Sequence, residues 1–412
     1  MSNKERERTH GGNIRAAMGR YGLGEAGMRD SEILDFSANI NPLGPPRSVL
    51  DAIIKNLPGI ARYPDPECVE LRREIARHLS ISLANNAPPA NAPPGHIPAG
   101  DAPASSALGS NALDEGPANG ITPDNIIAGN GAVELVYLIA KAVKPGVAIV
   151  PCPAFSEYAL AVRSEGGDIK RAYLRPDRGF NIDPGEIASA LPGADILFIC
   201  NPNNPTGNLW PREALLHIVG EAARAGAFVV IDEAFVDFVD DEKQVTVVDE
   251  APRRENLIVL RSMTKIFAIP GLRLGYAVCS SEMAQRLASL RDPWSVNSLA
   301  QAAGIEALRD RDYIVQTKKL IRRERGFLYD GLAGLPGIEA YRPEANFILA
   351  RIAACATRAG DLAAGLGRRG ILIRDASSFD GLDEAYFRVA VRTRPENERL
   401  LEALGDCLMG AI

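Results

Sequence analysis

Short apolar runs alternate with helical stretches through the middle of this chain, and that alternation constrains the fold more than any other feature. The runs cover 125–128, 147–150, 169–174, 196–200, 228–231, 257–260 and 274–279. Between them, 133–144 and 211–225 carry apolar residues at helical spacing, as helices covering a sheet do. The pattern predicts parallel β-α-β units and one large sheet of seven strands. Ligands bind such sheets in the loops at the carboxyl ends of the strands.

The pattern changes near Trp294. A long charged helical region, 301–331, is followed by strand-like runs at 346–351, 371–374 and 386–392. We expect a large domain over 61–293, a small C-terminal domain over 294–412, and an N-terminal segment, 1–60, that joins the small domain and the active site. With 412 residues and 46% hydrophobic content, the chain can bury a core of that size. Segment 84–120 breaks the pattern. It holds seven prolines and only three larger aliphatic residues, Ile97, Leu108 and Leu113, so it reads as a flexible surface insertion.

A net charge of -6 argues against nucleic acid as a partner but leaves room for a local basic pocket. Six cysteines without a Cys-x-x-Cys pair fit free thiols in a reducing cytoplasm. Four scattered histidines show no metal-ligand spacing, so no metal is expected. No run approaches a membrane span and no signal region opens the chain, so the expectation is a soluble protein.

The chemistry-bearing residues follow the predicted strand ends. Lys265 closes Ser262-Met263-Thr264-Lys265, with Arg273 eight residues on in Pro270-Gly271-Leu272-Arg273-Leu274-Gly275-Tyr276. Asp232 ends the run 228–231, and Asn204 lies in Asn201-Pro202-Asn203-Asn204-Pro205-Thr206-Gly207 after the run 196–200. A lysine amine can bind an aldehyde covalently, a buried carboxylate can hold a pyridine nitrogen protonated, and an arginine beside a hydroxyl can pair a phosphate. Singly, each is an ordinary loop residue. Together they are the layout of a pyridoxal-phosphate enzyme. Gly129-Asn130-Gly131-Ala132, between a strand and a helix, offers backbone amides to a phosphate but lacks the Lys-Ser or Lys-Thr of a nucleotide loop.

Four segments carry a closer resemblance: His10-Gly11-Gly12-Asn13, the stretch Asp35-Phe36-Ser37-Ala38-Asn39-Ile40-Asn41-Pro42-Leu43-Gly44, Asp232-Glu233-Ala234-Phe235, and Phe387-Arg388-Val389-Ala390-Val391-Arg392. With them the chain resembles the fold-type I pyridoxal-phosphate enzymes of the class I/II aminotransferase superfamily. Within that superfamily it is most similar to the threonine-phosphate decarboxylases of cobalamin biosynthesis, relatives of the histidinol-phosphate aminotransferases. The resemblance implies an α/β large domain with a mostly parallel seven-stranded sheet, a smaller α+β domain and pyridoxal 5'-phosphate as cofactor.

It also implies roles. Lys265 binds the cofactor aldehyde, Asp232 pairs the pyridine nitrogen and Asn204 donates to the phenolic oxygen. Gly131, Ala132, Ser262 and Arg273 hold the cofactor phosphate, with Phe155 stacked on the ring. Tyr63 reaches the cofactor phosphate of a neighbouring subunit, which makes the active unit a homodimer. Arg388 binds the substrate carboxylate, and His10, Arg374 and Asn39 hold a substrate phosphate. The implied reaction is decarboxylation of O-phospho-L-threonine to (R)-1-amino-2-propanol O-2-phosphate.

Phe235 departs from the superfamily pattern: many relatives carry tyrosine there, whose hydroxyl also bonds the phenolic oxygen. The rival reading within the superfamily is a histidinol-phosphate-type aminotransferase. A non-catalytic regulator that senses the cofactor is the rival from another class. The intact Lys265 and the absence of a helix-turn-helix extension weigh against it.

Overall fold

The computed structural model describes residues 11–24, 27–84, 120–353 and 357–409. His10, Cys355 and nearly all of the expected insertion at 84–120 lie outside the described residues.

All seven predicted strands form, and they share one sheet. They are β2 (Ile126–Gly129), β3 (Val147–Cys152), β4 (Asp168–Tyr173), β5 (Ile196–Cys200), β6 (Phe228–Asp232), β7 (Leu257–Ser262) and β8 (Gly275–Val278), where β1 is the short N-terminal strand Leu34–Asp35. Their order is β2-β8-β7-β6-β5-β3-β4. The pairs from β7 through to β4 are parallel, while β8 runs antiparallel to both β7 and β2. Between β7 and β8 the chain holds only the one-turn helix Met263–Ile266, with no long helix of the kind that usually carries a chain across between parallel strands.

Helices Ala132–Val143 and Arg212–Ala225 cover the sheet. β5, β6 and β7 are buried along their whole length apart from the first residue of β6, as strands covered on both faces must be. Edge strand β4 is the exception, with only exposed and half-buried residues. Cys68, Cys152, Cys200 and Cys279 are free and buried as small core side chains.

The C-terminal part departs from expectation in two places. The helical region 301–331 is two helices, Ser298–Arg309 and Arg311–Ala333, divided at Asp310, whose carboxylate caps the second by accepting from the Tyr313 amide at 3.1 Å. The run 371–374 is also two elements. β11 (Ile371–Leu372) pairs in parallel with β1, whereas β12 (Arg374–Asp375) joins β13 (Tyr386–Ala390), β10 (Phe347–Ile352) and β9 (Ile338–Ala340) in an antiparallel four-stranded sheet. Thus the N-terminal segment and residues 371–375 are stitched together. Among the described residues, no helix is long and apolar enough to cross a membrane.

Candidate active site

Three chain segments meet where β2 ends. Gly131 has φ +82°, and a Cβ there would lie 2.6 Å from the Arg273 guanidinium, so only glycine lets that side chain lie across the turn. A Cβ on Gly275 would lie 2.6 Å from the Ala132 amide nitrogen, which is how closely β8 approaches the start of helix Ala132–Val143. Gly275 is also the register partner of Ser262 at the end of β7. An arginine, a hydroxyl and the N-terminus of a twelve-residue helix therefore converge on one cleft, lined by Ala132, Ser262 and Arg273. Helix N-termini favour anions, and a guanidinium beside one makes a phosphate cradle.

Asp232 and Lys265 line the same cleft, with Asn204, Phe155 and Phe235. One Asp232 oxygen accepts from the Ala234 amide at 3.0 Å and the other from the Tyr158 hydroxyl at 2.6 Å. Burial pushes the carboxyl above the usual range, while Tyr158, the Ala234 amide and Lys265 pull it back toward the ionised form. Lys265 donates to the Thr264 hydroxyl at 3.1 Å. Burial, assisted by Arg273 and Arg388 and opposed by Asp232, pulls its amine down to about 8. A lysine so placed has a usable neutral fraction near physiological pH and can attack an aldehyde.

Beyond Lys265 the cleft opens into a cavity of about 750 Å³, lined also by Gly11, Gly12, Asp35, Ser37, Asn39, Arg374 and Arg388. Arg374 and Arg388 are cross-strand partners on β12 and β13, and both are buried. Arg388 donates to the Asn204 side-chain oxygen and, at 3.0 Å, to the Ser37 carbonyl. Its guanidinium lies over Phe347, 5.2 Å from the ring centroid. Arg374 donates to the Ser378 hydroxyl at 2.7 Å and lies over Phe379.

Burial, with Arg374 beside it, pulls Arg388 down to about 9, and burial pulls Arg374 down to about 10. Guanidinium groups keep their protons, so an anion entering the cavity would be attracted by both. Like charges directly opposite on a sheet are otherwise destabilising. The Asn39 side-chain oxygen, in a residue 4% exposed, has no hydrogen-bond partner among the described residues.

Of the residues singled out in the sequence, Ala132, Phe155, Asn204, Asp232, Ser262, Lys265, Arg273, Asn39, Arg374 and Arg388 thus share two adjoining cavities, and Gly131 forms the turn beneath Arg273. Tyr63 is not brought there: it is 79% exposed and stacks on Trp294 at 4.5 Å. Arg392 is ion-paired with Glu396 at 2.6 Å and lies over Phe36. Its neighbours account for it without a ligand. Phe235 is packed edge-on against Phe347, 5.0 Å between centroids. Tyr158, Ser378 and Phe379 were missed, because nothing in their local sequence marks them and only the meeting of distant segments gives them partners; Ser37 lies in a marker stretch, Asp35 to Gly44, but its role was not assigned.

Comparison with known proteins agrees with this geometry. The pattern of the family described as "Aminotransferase class I and II" matches residues 108–404. The chain is 37% identical over 403 residues to a threonine-phosphate decarboxylase from Salmonella typhimurium, covering 97% of both chains. Among solved structures, a histidinol-phosphate aminotransferase from Clostridium acetobutylicum is 28% identical with a TM-score of 0.76, over 92% of this chain and 100% of that one. An L-threonine-O-3-phosphate decarboxylase from Porphyromonas gingivalis is 25% identical with a TM-score of 0.73, over the same shares. The chain belongs to the aminotransferase class I and II family and is a pyridoxal-phosphate-dependent enzyme.

Proposed function

We propose that this enzyme decarboxylates O-phospho-L-threonine to (R)-1-amino-2-propanol O-2-phosphate, the step that the resemblance assigns to cobalamin biosynthesis. The observation that carries the reading is the pair of buried guanidinium groups, Arg374 and Arg388, set opposite each other across two strands in the cavity that also holds Lys265. They suit a short substrate with an anion at each end. The 37% identity to a protein named for this activity supports it further.

In this reading, Gly131, Ala132, Ser262 and Arg273 hold the cofactor phosphate and Phe155 covers the ring. Asp232 keeps a proton on the pyridine nitrogen, and Asn204, whose side-chain oxygen is taken by Arg388, turns its amide NH2 to the phenolic oxygen. Pyridoxal 5'-phosphate supplies an electron sink conjugated to the substrate amine, which labilises whichever α-carbon bond stands perpendicular to its ring. The protein's task is to choose that bond. Arg388 would bind the carboxylate and Arg374, with Asn39 and His10, the phosphate, and holding both ends would fix which α-carbon bond is presented for cleavage. Lys265, its amine pulled down to about 8, would be the residue that holds the cofactor aldehyde.

Residues 61–293 form the cofactor-binding domain and 1–60 with 294–412 the smaller one. The active unit is a cytoplasmic homodimer in which Tyr63 reaches the partner's cofactor phosphate. The exposure of Tyr63 and Trp294, alongside exposed Ile54, Leu57 and Ile60, supports a face that another copy covers.

The test is stoichiometric. Incubated with O-phospho-L-threonine and no keto acid, the enzyme is expected to release many equivalents of carbon dioxide per active site. Stalling after one turnover in the pyridoxamine form, without carbon dioxide, would reject the decarboxylase and favour the histidinol-phosphate aminotransferase.

A further inference from the structure

The turn between β12 and β13 touches both substrate-facing arginines. Its Ser378 hydroxyl accepts from Arg374, and the Phe379 ring lies 5.4 Å from the Arg374 guanidinium carbon and 6.0 Å from that of Arg388. The same turn reaches across to the other sheet. Asp380 accepts from Arg171 Nε on edge strand β4, and the Tyr173 hydroxyl, two residues along that strand, lies 3.5 Å from the same carboxylate. Gly381 follows with φ +91°, where a Cβ would lie 3.1 Å from the Tyr173 ring. Among the described residues the two sheets share no strand pairing, so this ion pair joins elements that the backbone ladders leave separate.

Phe379 and Leu382 pack the turn against the core on one side. A cavity of about 280 Å³ opens behind it, between Phe155, Ile169 and Leu382. A segment packed on one side only is held more firmly by a tie across the open side. The carboxylate of Asp380 is the tie, and Arg171 is its anchor on the sheet.

We propose that Arg171 and Asp380 are positioning residues for anion binding. By fastening the turn to β4 across the void, they keep Ser378 and Phe379 where these two orient Arg374 and Arg388. The proposal rests on the reading of that arginine pair as the substrate's anion site. The ion pair is partly exposed, with side chains 28% and 47% accessible, and solvent screening leaves it little to contribute to overall stability. Its effect belongs in affinity.

The experiment titrates the holoenzyme with inorganic phosphate by calorimetry and measures KM and kcat for O-phospho-L-threonine. Arg171→Ala and Asp380→Ala should each weaken phosphate binding and raise KM by roughly three- to fivefold, with kcat and Tm near those of the parent. The double variant should be no worse than either single one, and the charge swap of Arg171→Asp with Asp380→Arg should recover most of the affinity. Gly381→Ala, which wedges the turn away from Tyr173, should act in the same direction.

Arg374→Ala separates the two levels of the argument. Lost phosphate affinity in that variant, with Arg171→Ala and Asp380→Ala unaffected, overturns the proposal and leaves the arginine reading standing. Unchanged affinity in all three overturns both. Single-variant losses that simply add in the double, with no recovery in the swap, also overturn it.

Discussion

Lys265 and Asp232 show how burial is turned to use at single residues. Burial drives the lysine toward its neutral form and the aspartate toward its protonated form, and each group tempers the shift of the other. Because the amine is pulled down to about 8, its neutral fraction grows as pH rises toward that value and saturates above it. Capture of pyridoxal 5'-phosphate by the cofactor-free protein should therefore accelerate from pH 6.5 and level off above pH of about 8, followed by stopped-flow absorbance. A rate still climbing toward the ordinary lysine range would contradict this. Tyr158 holds Asp232 toward ionisation through its 2.6 Å hydrogen bond. In Tyr158→Phe the carboxyl should rise further, kcat should fall about ten- to hundredfold, and the acid limb of the pH profile should move to higher pH. An unmoved acid limb would mean that Tyr158 only packs.

At the scale of elements, alternation along a strand places function on one face and support on the other. Asp232 and Ser262 face the cleft, while their neighbours Glu233 and Arg261 meet in the interior, 2.8 Å apart and 0% and 2% exposed. Glu233 also accepts from the Thr246 hydroxyl and the Val247 amide, and Arg261 reaches Glu242 at 2.9 Å. The network clamps the ends of β6 and β7 behind the site. Removing one partner strands a buried charge, so Arg261→Ala should lose about 3 to 5 kcal/mol of stability, measured by denaturant unfolding. The paired replacement Glu233→Gln with Arg261→Met should lose less than Arg261→Ala. Additive losses from the two sites would show that they act independently. None of this was legible in Asp232-Glu233-Ala234 or Arg261-Ser262, since a charged residue beside a candidate site residue reads equally well as solvated.

For the whole molecule, the exposed apolar residues from Ile54 to Tyr63, with Trp294, form the face that the proposed dimer requires. Isolated exposed apolar side chains are ordinary, but here they follow one another along helix Arg47–Asn56 and the turn after it, and Tyr63 and Trp294 stack. Ile54→Asp with Ile60→Asp should convert the protein to a monomer by light scattering and lower cofactor affinity, because the partner's Tyr63 is lost with the interface. A particle mass unchanged by these substitutions, dimeric or monomeric, would refute that assignment.

The sequence by itself determined the large sheet and most of the site. Apart from edge strand β4, its strands are short and apolar enough to be buried on both faces, and Asn204, Asp232, Ser262 and Lys265 each follow or end one, so local pattern was sufficient to align them. It also placed Gly131, because a glycine between a strand and a helix has a backbone reason that needs no distant partner. The tertiary structure alone decided the rest. The break at Ile373 sends β11 to the N-terminal strand and β12 to another sheet, which no periodicity over two-residue strands could reveal. Tyr158 meets Asp232 across 74 residues, Arg388 meets Ser37 across 351, and Arg171 meets Asp380 across 209. Contacts of that separation depend on how sheets and loops stack in space, and a side chain's partner there leaves no mark on its own neighbours in the chain.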